Sequence, residues 1–298
     1  MLRIIKSSDP ILVERLNLCI YAPPGIGKTT TAFTAESPLL LDFDNGAHRA
    51  SNRKDTVRVT SWGDVADLKA DDLKPYKTLI VDTAGRALDI LTADIIRRNP
   101  KAGRGGALTL QGYGTLKAEF VAWLKMVNGL GLDVILIAHM DEQRNGDDII
   151  ERLDVQGGSK GEIYKAADAM GRIAIRDGRR ILNFSPTDAA FGKNPGQLEP
   201  LEIPHPDKEP AFLAEVIAKI KARLNALTAE QSEAQAALND WRVIIEGLKD
   251  ADDFNDKLAG IKLAPVAAKS LFNAAATERG LAFSKTEGKY IGKVAEAA

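Results

Sequence analysis

The sequence is poor in the residues that build disulfide frameworks and zinc clusters. Among its 298 residues there are one cysteine, Cys19, and three histidines. A single cysteine forms no internal disulfide, and so few nitrogen and sulfur ligands argue against a structural zinc site. Cys19 lies within the apolar run Leu18-Cys19-Ile20, so we expect a small core side chain rather than a nucleophile.

The sequence also lacks long apolar runs and an excess of charge of either sign. No run approaches the roughly 18 residues of a membrane-spanning helix, and the N-terminus has no apolar secretory core, so we expect a cytoplasmic protein without a membrane partner. The 40 Lys and Arg residues balance 41 Asp and Glu residues. This balance excludes a chain that is basic throughout and restricts any nucleic-acid contact to a local patch.

The first two-thirds of the chain alternates apolar runs with helical patterns. The runs that predict strands are Leu16–Tyr21, Leu39–Asp42, Thr56–Val59, Thr78–Asp82 and Asp133–Ala138, and helices are predicted near 28–36, 64–72, 86–98 and 112–128. Strands that are apolar throughout are typical of a parallel sheet covered by helices on both faces. We therefore predict an α/β fold with a mainly parallel sheet. Asp177-Gly178, between two further apolar runs, predicts an antiparallel hairpin at the sheet edge.

The last third of the chain has a different composition. Residues 186–210 contain six of the 13 prolines, so we expect an extended segment there rather than a helix. Beyond it, apolar residues recur at helical spacing from Leu213 to Leu227. We predict a core domain over residues 1–205 and a small α-helical region over residues 206–298. We expect this region to serve packing or partner docking, since no motif in it carries chemistry.

The strongest motif is the segment Ala22–Thr29, which reads APPGIGKT. It matches the phosphate-loop pattern G-x-x-x-x-G-K-[ST] with alanine in place of the first glycine. Because it follows a predicted strand and precedes a predicted helix, a nucleotide site is favoured over a chance glycine-rich turn. Lys28 would neutralise the phosphates of ATP, and the Thr29 hydroxyl would bind Mg²⁺. The predicted nucleotide-binding residues are Pro24, Gly25, Ile26, Gly27, Lys28, Thr29 and Thr30.

Four further polar residues lie at the ends of predicted strands or just after them. Asp82 ends an apolar run, as the second magnesium-orienting residue of a phosphate-loop enzyme does. Asp42 or Asp44 could accept a proton from the attacking water, the alternative being a solvated acidic turn. His139 could contact the γ-phosphate and report its loss to the loop that follows, the alternative being a capping or surface histidine.

A basic, glycine-rich segment lies between residues 97 and 117, with five basic residues and no acidic one. Such a loop can follow a phosphate backbone while an aromatic ring stacks on a base. A solvated surface loop is the alternative interpretation. The candidate DNA-binding residues are Arg97, Arg98, Lys101, Arg104 and Tyr113. A second flexible segment, with Asn145-Gly146 at its tip, is predicted over Asp141–Asp154.

The order of these motifs resembles the RecA-type recombinase core. It more closely resembles the phage-encoded RecA-like single-strand-annealing ATPases, the fourth Sak group, over about residues 12–200. The resemblance depends on the phosphate loop, on Leu41–Gly46 (LDFDNG), and on Ala138-His139 before a loop. It implies a RecA-like phosphate-loop core, ATP and Mg²⁺ as cofactors, and rings or filaments of this chain on single-stranded DNA. A single-strand-binding protein is a further candidate partner.

The resemblance also implies roles for single residues. Asp44 takes the place of a catalytic glutamate, and its shorter side chain argues against fast hydrolysis. His139 takes the place of the γ-phosphate sensor, while residues 97–113 and 141–158 correspond to the two DNA-binding loops. Lys193 is the candidate for a basic finger that reaches the ATP of a neighbouring subunit.

These features predict a DNA-stimulated ATPase that binds single-stranded DNA and promotes annealing or strand exchange during phage recombination in a bacterial cell. One alternative is a RecA-like helicase or translocase, although no further motor motif is present. Another is a nucleotide-dependent scaffold or loader with little hydrolysis.

Overall fold

The computed structural model describes residues 5–6, 9–146, 148–156 and 158–292. Backbone contacts divide the chain into two compact units. One unit is Val13–Leu224, and the other is Asn225–Ala298 together with Met1–Leu12. The predicted domain boundary at residues 205–206 stays a prediction.

The first unit contains the predicted alternation of strands and helices. Its strands are β1 (Asn17–Ala22), β2 (Pro38–Asp42), β3 (Thr56–Arg58), β4 (Thr78–Asp82), β5 (Gly103–Arg104), β6 (Ala107–Leu108), β7 (Asp133–Asn145), β8 (Asp148–Leu153), β9 (Ala169–Arg176), β10 (Arg179–Asn183) and β11 (Leu201–Glu202). Its helices are α1 (Lys28–Ala32), α2 (Ala84–Arg98), α3 (Leu110–Asn128), α4 (Ser159–Ala166) and the start of α5 (Phe212–Gly247). Helix α5 crosses the division between the units.

A single large sheet organises this unit. The strand order is β11-β10-β9-β1-β7-β4-β2-β3, and β8 pairs with the end of β7. Neighbouring strands run parallel from β9 to β3, while β10, β11 and β8 are antiparallel to their partners. The mainly parallel α/β fold and its antiparallel edge hairpin are therefore confirmed.

Both faces of the sheet are covered, which explains the uninterrupted apolar runs. One face packs against α2 and α3, with Phe120 and Trp123 at the centre. The other face packs against the first turns of α5, including Leu213 and Ile220. Cys19 is fully buried, and burial raises the pKa of its thiol to about 12, as expected for an inert core side chain.

The helix predicted near 64–72 is wrong. Two 3₁₀ turns, Trp62–Asp64 and Ala70–Leu73, occupy this region instead. The Asp64 carboxylate accepts hydrogen bonds from the backbone amides of Thr60 and Ser61, so it caps a short turn rather than supporting a longer helix.

The flexible segment predicted after His139 is a β-hairpin. Strand β7 continues seven residues past Ala138 to Asn145, and β8 returns alongside it. Gly146 at the turn has a φ of 68°, which glycine adopts without strain. The segment is rich in charged residues, as loops are, because a two-stranded ribbon that extends beyond the sheet has no face that must be buried. Gly157, part of the second predicted DNA-binding loop, lies outside the described residues.

The second unit is helical, as predicted, and ends in a hairpin that was not predicted. Its elements are the rest of α5, α6 (Ala251–Asp256), α7 (Leu258–Leu263), α8 (Val266–Glu278), β12 (Leu281–Ser284) and β13 (Lys289–Gly292). Phe254, Phe272 and Tyr290 form its aromatic core. Asn255 exchanges two hydrogen bonds with the backbone of Tyr290, which fixes β13 on α6. Among the described residues, no helix has both the length and the apolar character needed to cross a bilayer.

Candidate nucleotide-binding site

The phosphate loop connects β1 to α1 at the carboxyl end of the parallel strands. Gly25 and Gly27 have φ angles of 79° and 91°, in the region that favours glycine. Ala22, in place of the first glycine of the pattern, is the fully buried last residue of β1. Its extended conformation accepts a Cβ, so this departure from the pattern leaves the loop intact.

Lys28 lies under the loop, with only 5% of its surface exposed. Its ammonium donates hydrogen bonds to the carbonyl oxygens of Ala22 at 3.0 Å and Pro23 at 2.9 Å. Burial lowers the pKa of this ammonium to about 8, against the opposing attraction of Asp82 and Asp44.

Thr29 and Asp82, the two predicted Mg²⁺ ligands, are in direct contact. The Thr29 hydroxyl donates to Asp82 Oδ2 at 2.6 Å. Burial raises the pKa of Asp82 to about 6, although the hydrogen bond from Thr29 acts in the opposite direction. A hydroxyl and a carboxylate side by side form an oxygen donor set that fits Mg²⁺, which binds few protein ligands and shares the phosphates of its nucleotide. The peptide bond between Asp82 and Thr83 is cis.

The two carboxylates after β2 have different surroundings. Asp42 is buried and accepts hydrogen bonds from the amides of Gly46 and Ala47, both at 3.0 Å, so it closes the turn. Asp44 is partly exposed, and it is the candidate that remains available to a water molecule. Its partners are two arginines that the sequence analysis missed, Arg49 at 3.2 Å and Arg86 at 3.4 Å. Arg86 lies far from Asp44 in the sequence, and Arg49, although close to it, belongs to no motif, so no spacing signal identifies either arginine.

His139 faces the phosphate loop. It is in register with Ala22 across the β1–β7 pair, and its Nδ1 lies 3.3 Å from Lys28 Nζ. Burial and the neighbouring Lys28 ammonium lower the pKa of the imidazole, so it is neutral at pH 7. Its carbonyl oxygen accepts a hydrogen bond from the Asp154 amide, directly below the β7–β8 hairpin.

Two of the predicted DNA-binding arginines are on a helix and are paired. Arg97 and Arg98 lie in the last turn of α2, where both bind Asp94 at 2.6 and 2.7 Å. Arg98 also binds Glu119 of α3 at 2.6 Å. These acidic partners lie just outside the window 97–117, so the charge excess in the sequence is largely neutralised in the fold.

The other candidates remain exposed around a small β5–β6 hairpin. Lys101 and Arg104 have no ion-pair partner within the part of the chain that the structure describes. Tyr113 is 39% exposed in the first turn of α3. Gly105 and Gly106 have φ angles of 60° and 84°, so these glycines make the hairpin turn.

Lys193 is held within its own chain. Its ammonium donates to the carbonyl oxygens of Tyr164 at 2.5 Å and Ala167 at 2.7 Å, and it lies 4.6 Å from the centre of the Tyr164 ring. Its role as a finger toward a neighbouring subunit stays a prediction, and this role requires those bonds to break.

Residues 14–195 match the model of a family described as an AAA domain, over more than half of the chain. The chain belongs to this AAA domain family. It is therefore a nucleotide-binding ATPase of the phosphate-loop class. Among curated protein sequences none matches it. The flagellar accessory protein FlaH from Methanocaldococcus jannaschii is similar over 57% of this chain and 77% of its own, with 10% identity and a TM-score of 0.30.

The two shifted pKa values predict how nucleotide affinity depends on pH. Below about pH 6 Asp82 takes up a proton and loses its affinity for Mg²⁺, and above about pH 8 Lys28 loses its charge. We therefore expect the affinity of this AAA domain for Mg²⁺–ADP to be greatest between these limits. Titration of a fluorescent ADP analogue from pH 5 to pH 9.5 measures it.

The Asp82→Asn variant is the control for the acidic limb of this profile. It keeps an oxygen acceptor for Thr29 but does not titrate, so its fall in affinity below pH 6 should be smaller than that of the native chain. If the affinity of the two proteins falls equally below pH 6, the titrating group is not Asp82.

Proposed function

We propose that the chain is an ATPase that binds single-stranded DNA and promotes annealing or strand exchange in phage recombination. Its membership of the AAA domain family supports nucleotide binding. The resemblance of its ordered motifs to RecA-like annealing ATPases supports the choice of DNA as the partner and of rings or filaments as the active form.

The observation that carries this proposal is the continuity of β7. The same strand places His139 against Lys28 and then continues into the β7–β8 hairpin. A change at the γ-phosphate therefore has a direct covalent path to the segment proposed to contact DNA. Helix α2 contacts the segment that follows this hairpin at two points. Gly85 of α2 lies against the Asp154 carbonyl oxygen, and Asp89 of α2 accepts a hydrogen bond from Gln156.

The chemistry assigned to the site follows from its geometry. Lys28 and the loop amides bind the phosphates, while Thr29 and Asp82 would hold Mg²⁺. The bound Mg²⁺ supplies charge neutralisation at the phosphate oxygens. Asp44 accepts a proton from the attacking water, and the neutral His139 senses the γ-phosphate.

The proposed DNA surface depends on the cations that have no ion-pair partner among the described residues. Lys101 and Arg104 bind the phosphate backbone, and Tyr113 offers a ring for stacking. The charged β7–β8 hairpin adds Arg144, which is exposed. Arg97 and Arg98 contribute less than their sequence position indicates, because Asp94 and Glu119 neutralise them.

We expect the double variant Lys101→Ala/Arg104→Ala to bind single-stranded DNA at least about tenfold more weakly at 0.1 M salt, at unchanged ATP affinity. The slope of log affinity against log salt should fall by about 0.7 for each lost phosphate contact. The matched control is Arg97→Ala/Arg98→Ala, which removes the same charge from paired positions and should have a smaller effect. If the two double variants bind DNA equally well, the proposed DNA surface is wrong.

One observation favours a second candidate function, a nucleotide-dependent scaffold or loader with little hydrolysis. Asp44 is engaged by Arg49 and Arg86, which compete with water for its oxygens. A single-turnover assay separates the candidates, since a scaffold binds ATP without releasing phosphate on the timescale of DNA binding.

A further inference from the structure

Arg180 directs its guanidinium onto the phosphate loop from strand β10. A Cβ built on Gly27 would lie 2.5 Å from Arg180 Nη1, so the guanidinium fills the space that a side chain at residue 27 would take. The φ of 91° at Gly27 favours glycine for a second reason. The loop and Arg180 therefore fit each other only with glycine at this position.

The backbone on both sides holds Arg180 in place. It is in register with Ile175 of β9, and its carbonyl oxygen accepts a hydrogen bond from the Ile203 amide at 2.7 Å. Its Nη2 donates to the Pro204 carbonyl oxygen at 3.1 Å. One end of the guanidinium is thus anchored, and Nη1 remains directed at the loop.

Arg180 differs from Arg172 and Arg179 in having no ion-pair partner among the described residues. Arg179 binds Glu202 at 3.1 Å, and Arg172 forms an ion pair with Glu151. Among the described residues, no carboxylate lies within ion-pair distance of Arg180. A partly buried guanidinium beside a phosphate loop, with donors to spare, is suited to an oxyanion of the bound ligand.

We propose that Arg180 is a nucleotide-binding residue that donates a hydrogen bond to a phosphate oxygen of the nucleotide held by its own subunit. The inference rests on nucleotide binding by the loop and does not depend on DNA as a partner. It assigns to the β9–β10 hairpin, predicted only as a sheet edge, a direct part in the site. The contact is made within one chain, unlike the one predicted for Lys193.

The test compares ADP with adenosine, because only ADP carries the proposed acceptor. We expect Arg180→Gln to weaken Mg²⁺–ADP binding about tenfold to a hundredfold, the range for a hydrogen bond to a charged group. Adenosine, measured by competition, should bind with unchanged affinity. Arg180→Lys keeps the charge without the planar fork and should give an intermediate loss for ADP. Arg179→Gln is the matched control and should leave both affinities unchanged.

A different result is expected if Arg180 only stabilises the fold through its hydrogen bond to the Pro204 carbonyl oxygen. Arg180→Gln would then weaken ADP and adenosine binding equally and lower the melting temperature measured without nucleotide. That outcome, or an unchanged ADP affinity in Arg180→Gln, overturns the proposal. If Arg180→Gln does not fold, the ADP-to-adenosine ratio in Arg180→Lys decides. If the native chain fails to bind ADP, the nucleotide assignment itself is wrong and the proposal is lost with it.

Discussion

We expect the Lys28→Ala variant to bind Mg²⁺–ATP at least about a hundredfold more weakly than the native chain. The buried ammonium contacts the carbonyl oxygens of Ala22 and Pro23 and the imidazole of His139. Without it the phosphates lose a charge-assisted hydrogen bond. Isothermal titration with a slowly hydrolysed ATP analogue measures the change.

Two controls accompany the Lys28→Ala variant. Lys101→Ala removes an exposed lysine distant from the phosphate-loop motif and should leave ATP affinity unchanged. Thermal unfolding without nucleotide detects any loss of stability, because the Ala22 and Pro23 carbonyl oxygens lose their donor in Lys28→Ala. An ATP affinity equal to that of the native chain would falsify the assignment of the loop.

The second large effect is expected at Asp44. Asp44→Asn should lower the turnover number about a hundredfold to ten-thousandfold, the usual contribution of a general base, with ATP affinity nearly unchanged. The amide keeps an oxygen for Arg49 and Arg86 but does not accept a proton from water. Phosphate release under saturating ATP measures turnover.

Asp42→Asn is the matched control two residues earlier. Because Asp42 uses both oxygens to accept amides of the turn, its replacement should lower thermal stability more than turnover per folded molecule. If the Asp44 and Asp42 variants turn over equally fast, Asp44 is not the base.

The sheet and the phosphate site were predictable because both depend on local patterns. Continuous apolar strands encode burial on two faces, and the order of strands places Lys28, Asp82 and His139 at one edge. The contact between Thr29 and Asp82 follows from the motif chemistry alone. These features need no knowledge of distant partners.

The features that were missed depend on partners remote in sequence. Arg98 pairs with Glu119 only when α2 packs against α3, so the charge window over residues 97–117 overstated the basic surface. Arg86 pairs with Asp44 only when α2 lies beside the turn after β2. The β7–β8 hairpin was not predicted because its sequence is charged, and an exposed ribbon lacks the alternation of apolar and polar residues that predicts a strand. Arg180 reaches Gly27 only through the pairing of β9 with β1, and no local signal connects the two residues.

We propose that nucleotide binding and single-stranded DNA binding are coupled in this AAA domain protein. The most direct test measures ATP hydrolysis with and without single-stranded DNA, and DNA affinity with and without ATP. If ATP raises the affinity for DNA, linkage requires that DNA raise the affinity for ATP by the same factor, whereas the change in hydrolysis rate is not fixed by that factor. We predict faster hydrolysis with DNA and tighter DNA binding with ATP. A hydrolysis rate unaffected by DNA, together with a DNA affinity independent of nucleotide, would contradict this coupling.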